Sequence, residues 1–475
     1  MKRIVSVLLA FLAVLSPFAL AIGAILTMPA VYHNSFTASL VDKYERLTEI
    51  KEEKIVIVGG SSVAFGYESE LMEKHLGMPV VNFGVYAALG TKVMMDLSLP
   101  QIRKGDIVII APELAQQTLS LYYNGEQMLE ACEERPSLVF SLPPDDLLKT
   151  LGALYNFGTK KYQRLKDGNI PNPDGIYHRE SFNSYGDISY PREMNILPAG
   201  FDPNQPIQLD SSVVSDEFVD YVNKYAQKVR RKGAEIYFAY CPMNEASLQN
   251  TEEEELAFAE YLAEKIDITP LGDIRTFSSE AGYFYDTNFH LNDIGKRKHT
   301  IEVLMALALE LGIPLSSLEK IPPAPPVEVF DSTYDGADDE NMKYFTYKTD
   351  DFGITLTGLT ELGKTQVTLT APVGFAGRKV TIFGEGMLDG GIATTFIVPE
   401  DSPVFRFEEN VFRGASALAH LVLLPSDADA ILPPTSFAGV ASGFLAHVLP
   451  GSGYDTSYFW RERGLTFVFD AEGFR

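Results

Sequence analysis

Four short, unbroken apolar runs constrain this chain most strongly: "KIVIVG" (54–59), "MPVVNFG" (78–84), "DIVIIAPE" (106–113) and "AEIYFAYCP" (234–242). A strand with one wet face alternates apolar and polar residues. A strand buried on both faces does not, and that is the habit of parallel sheets. Helical spacing separates the runs. Phe218, Val222, Tyr225 and Val229 recur at three and four, and "KHTIEVLMALALELGIP" closes on Gly312 and Pro314. Residues 54–316 therefore read as an α/β domain, a three-layer, doubly wound parallel sheet. Residues 155–210 break the rhythm with Asn, Tyr, Asp, Gly and Pro ("NIPNPDGIYHRESFNSYGDISYP"). A non-periodic stretch of that length inside a compact domain predicts a functional loop or lid.

The N-terminus predicts a location. Lys2-Arg3 precede Ile4–Met28, 25 residues without a charge. As a helix this run is about 37 Å long, enough to span a bilayer core of about 30 Å. The basic pair favours an inside N-terminus. Ala19-Leu20-Ala21 also fits a small-x-small cleavage site, so a cleaved signal peptide competes. The apolar run continues past that site, which favours a single-pass signal anchor over residues 1–30. A stalk over 31–53 follows, and an extracytoplasmic ectodomain in either case. The net charge of −25 disfavours a nucleic-acid partner. With two cysteines, Cys132 and Cys241, there is no disulfide framework and no metal-type Cys/His spacing. No metal or cofactor is expected, and Cys241, ending an apolar strand, reads as an inert buried thiol.

Beyond the proline cluster "IPPAPPVEV" and the acidic "DSTYDGADDEN", a linker over 317–342, the texture turns to β. Prolines 372, 399, 425 and 450 are spaced 27, 26 and 25, each after a short apolar strand. "GMLDGG", "NVFRGA" and "TSFAGV" repeat with the same period. One strand per coil of about 25 residues predicts a small β-rich solenoid over 343–475. The pattern resembles the BspA-like leucine-rich repeats of bacterial surface proteins. "YKTDDFGITLTGL" and "VLPGSGYDTSYFW" are similar to that family's usual entry and exit. Leu388 stands where the other coils have Phe. The resemblance implies a protein or surface partner for the repeats.

The chemistry centres on Gly59-Gly60-Ser61-Ser62, where the first strand turns into a helix. Open α/β sheets place ligands there. Neither Gly-x-Gly-x-x-Gly nor Gly-Lys-Ser/Thr is present, which disfavours a phosphate cradle. The two serines suit either a helix cap or a nucleophile whose oxyanion is met by backbone N–H groups. A nucleophilic serine needs a base. Of the seven histidines, His33 and His75 have no supporting pattern. His178 lies in the irregular loop, His299 on a helical face, and His420 and His447 in the repeats. His290 lies in "YFYDTNFHLNDIGKRKH", a polar loop before the last helix, with Asp286 four residues earlier. A carboxylate so near can hold Nδ1 and leave Nε2 to take the serine proton.

Together these motifs resemble the SGNH/GDSL hydrolase superfamily, whose sheet is of the flavodoxin-like kind. Its first block, Gly-Asp-Ser-x-x-x-Gly, maps onto Gly60-Ser61-Ser62-Val63-Ala64-Phe65-Gly66 and implies Ser62 as nucleophile. Its last block, Asp-x-x-His, maps onto Asp286 and His290. "VVNFGVYAALG" is similar to the second block, implying Ala87, with Gly84 as a near alternative, as an oxyanion N–H beside that of Ser62. Asn82 and Asn183 are expected to line the site, as is Glu113, which stands where the family's third block is missing. The chain departs in three places. Ser61 replaces Asp, Thr287 occupies the usual acid position, and "IIAPELAQQ" stands where Gly-x-Asn-Asp is expected. The resemblance implies a membrane-anchored serine esterase or O-acyltransferase acting on acyl esters of a cell-envelope or extracellular glycan. The alternative is a surface adhesion or scaffold protein whose hydrolase-like domain has lost catalysis.

Overall fold

The computed structural model describes residue 16 and residues 22–475, except 169, 171–175, 198–199, 204, 316–317, 328–330, 351, 426–431, 433–434, 453, 455–459 and 461–464. Most of the expected anchor and much of the closing repeat strand lie outside the described residues. Among the described residues no helix is long and apolar enough to cross a membrane. The chain divides into two compact units, with the boundary between residues 328 and 329.

The first unit is built on five parallel strands, β1 (Ile55–Gly59), β2 (Val80–Gly84), β3 (Ile107–Ala111), β4 (Glu235–Ala239) and β5 (Thr269–Leu271). Their order is β2-β1-β3-β4-β5. β1, β2 and β3 are buried at every position, as unbroken apolar runs require. The helices are α1 (Ser39–Glu49), α2 (Ser61–Gly66), α3 (Ser69–Leu76), α4 (Thr91–Ser98), α5 (Gly125–Ala131), α6 (Pro144–Asp167), α7 (Asp216–Arg231), α8 (Glu252–Lys265) and α9 (Asp293–Leu311). The chain passes from β1 to β2 on one side and then to β3 on the other. This is the switch point at whose carboxyl edge such sheets hold ligands.

Two expected boundaries move. Residues 31–53 are no stalk. In α1, Leu40, Tyr44 and Leu47 recur at i, i+4 and i+7 and are buried in the core of the α/β unit. The irregular segment starts later than 155, because α6 continues to Asp167 and buries Leu154, Phe157 and Lys161. The expected linker is also shared out. Pro322 O accepts from Tyr283 Oη at 2.8 Å in the first unit, while Tyr334 N donates to Gly377 O at 2.9 Å in the second.

The second unit stacks β8 (Thr368–Thr370), β10 (Thr395–Val398), β11 (His420–Leu423), β12 (Leu445–Val448) and β13 (Thr466–Val468) in one parallel sheet. They follow an antiparallel hairpin of β6 (Phe345–Asp350) and β7 (Gly353–Leu359), and β7 also pairs with β9 (Arg378–Phe383). One strand per repeat is the solenoid arrangement that the 25–27-residue period predicts. Phe412 and Phe437 stack with ring centroids 5.5 Å apart on successive coils, and Leu388 is buried in the same cluster.

Two outcomes follow from this packing. Phe412 is fully buried against Phe396, Phe407 and Phe437. Phe412→Ala should destabilise the second unit by about 3–5 kcal/mol in urea unfolding; a loss below about 1 kcal/mol would mean the coils do not share a core. In the first unit, His299 is buried with neither ring nitrogen hydrogen-bonded, and burial pushes its pKa down to about 3. The unfolded chain then binds a proton that the native state refuses. His299's contribution is complete above about pH 6.5 and is lost as pH falls toward about 3. His299→Leu should flatten that limb of the stability–pH curve, read from urea midpoints.

Candidate active site

The site begins where β1 meets α2. Glycine is required at Gly59, since a Cβ there would lie 2.4 Å from Val63 Cγ2 and 2.5 Å from Ala111 O. The first turn of α2 can therefore lie directly over β1 and β3. Glu113, just beyond β3, reaches into this turn. Its Oε1 accepts hydrogen bonds from Ser61 Oγ and from the Ser62 N–H, both at 2.9 Å. A Cβ on Gly60 would lie 3.5 Å from both Ala87 N and Glu113 Oε1, so the Ala87 amide belongs to the same small space. Glu113 thus lies against Ser61 and Ser62, in a role that its sequence pattern did not indicate. It is a buried carboxylate at the place where an oxyanion would be stabilised.

The acid and base are joined. His290 Nδ1 and Asp286 Oδ1 are 2.8 Å apart, and both side chains are buried. Tyr177 donates its hydroxyl proton to Asp286 Oδ2. Thr287, at the position where the hydrolase pattern has its acid, instead accepts from the N–H groups of Phe289 at 3.2 Å and His290 at 3.0 Å. It shapes the turn and so presents the Asp286 carboxylate to the ring. The His290 ring stacks on Phe65, centroids 3.9 Å apart and planes 10° apart. Phe65 lies three residues after Ser62 on α2, on the same helix face. The Arg192 guanidinium lies 5.1 Å from the Phe65 ring centre, and burial lowers its pKa despite the Asp293 carboxylate beside it.

The remaining expected residues divide. Asn82 is fully buried and acts as a tie. Its Nδ2 donates to Val63 O and Asp187 Oδ1, each at 2.9 Å, and its Oδ1 accepts from Gly84 N at 3.1 Å. The Gly84 N–H is thus engaged by its own strand and does not serve as the alternative oxyanion donor. The Gly84 carbonyl accepts from Lys43 Nζ, which also donates to Gly186 O; burial brings the Lys43 pKa down to about 7. Lys43 and Asn82 together fix the end of β2 that leads to Ala87. Asn183 is not at the site. It closes its own turn through Tyr185 N and Asp187 N and lines a separate cleft of about 380 Å³ beside Lys43, Arg46 and Arg179. Ser62 Oγ is buried and makes no hydrogen bond, so the expected bond to His290 is not formed here. The Ser62 N–H, expected as an oxyanion donor, is held by Glu113. Cys241 Sγ accepts from Leu114 N at 3.3 Å, and burial raises the thiol's pKa, as an inert thiol requires.

No sequence pattern marks Phe65, Tyr177 or Arg192 as residues of the site. Tyr177 and Arg192 belong to the irregular segment, whose anomalous length was the available signal. Phe65 lies inside the serine block itself. Compared with known families and with curated proteins, the sequence matches no family model and no curated protein.

The geometry predicts a single His290 tautomer, with the proton on Nδ1 facing Asp286. Asp286→Asn should leave the fold intact and give a mixed or reversed tautomer, read from the ¹⁵N shifts of the ring. An unchanged spectrum would mean that Tyr177, not Asp286, orients the imidazole.

Proposed function

We propose that the chain is a membrane-anchored, extracytoplasmic serine esterase or O-acyltransferase of the SGNH type, with leucine-rich repeats that engage a protein or surface partner. The observation that carries this reading is the Asp286–His290 pair at 2.8 Å, stacked through Phe65 on the helix that bears Ser62. In the proposed reaction Ser62 Oγ attacks the acyl carbonyl, and His290 Nε2 takes its proton and passes it to the leaving alcohol. Water or a glycan hydroxyl, deprotonated by His290, then attacks the acyl-serine and releases Ser62. The Ala87 N–H, and the Ser62 N–H once Glu113 withdraws, would meet the oxyanion. The irregular segment, which supplies Tyr177, would cover the acceptor, and its polar and aromatic composition suits a sugar.

A second reading, a surface adhesion or scaffold protein with a degenerate hydrolase domain, is favoured by the enclosed Ser62 Oγ and the carboxylate on its N–H. A serine-directed fluorophosphonate separates the two. On the enzyme reading the wild-type chain and Ser61→Ala are labelled, Ser62→Ala is not, and Asp286→Asn turns over a small aryl ester up to roughly 10⁴-fold more slowly. Equal labelling of Ser62→Ala and wild type, or none in either, favours the adhesion reading.

A further inference from the structure

Helix α6 carries an apolar seam that the α/β core does not use. Leu148, Leu151, Tyr155, Gly158 and Tyr162 follow one another at alternating spacings of three and four, which places them on one face. The buried positions Leu154, Phe157 and Lys161 lie about 100° round the helix from it, on the adjacent face. Along the seam Leu148 is 66% exposed, Tyr155 78% and Tyr162 60%, and Leu151 is also exposed. The seam is about 21 Å long. Phe140, in the turn leading into α6, adds another exposed ring.

One position on the seam is occupied. A Cβ on Gly158 would lie 2.6 Å from Ile25 Cδ1, so the end of the N-terminal apolar segment rests directly on this glycine. Ile22, one helical turn upstream, is also packed on the core. Yet Tyr155 and Tyr162, one turn of α6 on either side of Gly158, both stay exposed. A helix running along α6 would cover one of them. The described end of the segment, residues 22–28, leaves both tyrosines uncovered. The charge of α6 differs from that of the rest of the chain. Lys149, Lys160, Lys161, Arg164 and Lys166 outnumber Asp145, Asp146 and Asp167 in a protein of net charge −25, with Lys161 buried against Glu133 and Lys149 and Lys160 paired at the surface with Asp146 and Glu126.

We propose that the seam of α6 is an interfacial membrane face. It lies flat in the headgroup region of an anionic bilayer beside the point where the apolar segment preceding Ile22 enters the hydrocarbon. The proposal rests on the anchored reading of that segment. Leu, Tyr and Phe on a helix with basic flanks suit the boundary between headgroups and acyl chains. Two contacts at one surface would fix the tilt of the first unit, which a lone anchor leaves free.

The test uses the full-length chain in phosphatidylglycerol-containing vesicles with brominated acyl chains. The native Cys132 and Cys241 are buried, so an environment-sensitive nitrobenzoxadiazole label can be directed to single introduced cysteines. Labels at Leu148→Cys and Tyr155→Cys should be quenched at least about twofold more than labels at Asn156→Cys and Gln163→Cys, on the far side of the exposed face. Alkaline extraction run in parallel reports the anchor. Unquenched seam labels on a chain that resists extraction would overturn the proposal and leave the anchor standing. Unquenched labels on a chain that washes off would remove both. Blue-shifted but unquenched seam labels would mean that protein covers the seam, either residues 4–21 or a second copy, and would also overturn it.

Discussion

A single carboxylate oxygen holds the architecture of the site together. Glu113 Oε1 takes the Ser61 hydroxyl and the Ser62 amide at once, and so ties the end of β3 to the first turn of α2 across β1. The turn can be that tight because Gly59 has no side chain to collide with Val63 or Ala111. With α2 fixed, Phe65 is fixed, and Phe65 is the surface on which His290 lies. The other side is held just as firmly. Asp286 grips the His290 ring, Tyr177 grips Asp286, and Thr287 shapes the turn between them. The two Glu113 bonds are buried, where a hydrogen bond to a carboxylate contributes about 1.5–3 kcal/mol and a lost partner leaves an unsatisfied group behind.

The same carboxylate distinguishes this arrangement from an open hydrolase site. The Glu113 oxygen that accepts the Ser62 N–H is an acceptor there and offers an oxyanion no donor. While it holds the Ser62 amide, that amide is not available to a tetrahedral intermediate. On the enzyme reading, acyl transfer therefore starts from a closed state, and binding of an acyl ester must displace the carboxylate.

The parallel sheet was legible because burial on both faces leaves an unbroken apolar run, and β1, β2 and β3 each display one. His290 and Asp286 were legible because the contact is local, four residues apart. The solenoid was legible because its period repeats. What was missed depends on tertiary partners. In "SLVDKYERLTE" of α1 the charges mask three core residues, and Lys43 is buried through two backbone carbonyls that no local pattern announces. Glu113 was noticed only by its position after β3. Its two donors lie more than fifty residues away. Arg192 and Tyr177 come from a segment without periodicity, where only three-dimensional contact assigns a role. Asn183 failed for the opposite reason. An Asn in a polar loop looks like a ligand-binding residue, but its side chain is used by its own turn.

On the enzyme reading, Ser62, held by α2 and served by His290, carries an acyl group during turnover. The most direct measurement is rapid-quench mass spectrometry of the wild-type chain mixed with an activated acetate ester. Fragmentation of the peptide spanning Ser61 and Ser62 then locates the added acetyl. On that reading an acetyl appears on Ser62 within the first turnover and disappears as the ester is consumed. An acetyl found only on Ser61, or a peptide that stays unmodified while the ester is hydrolysed, would contradict it.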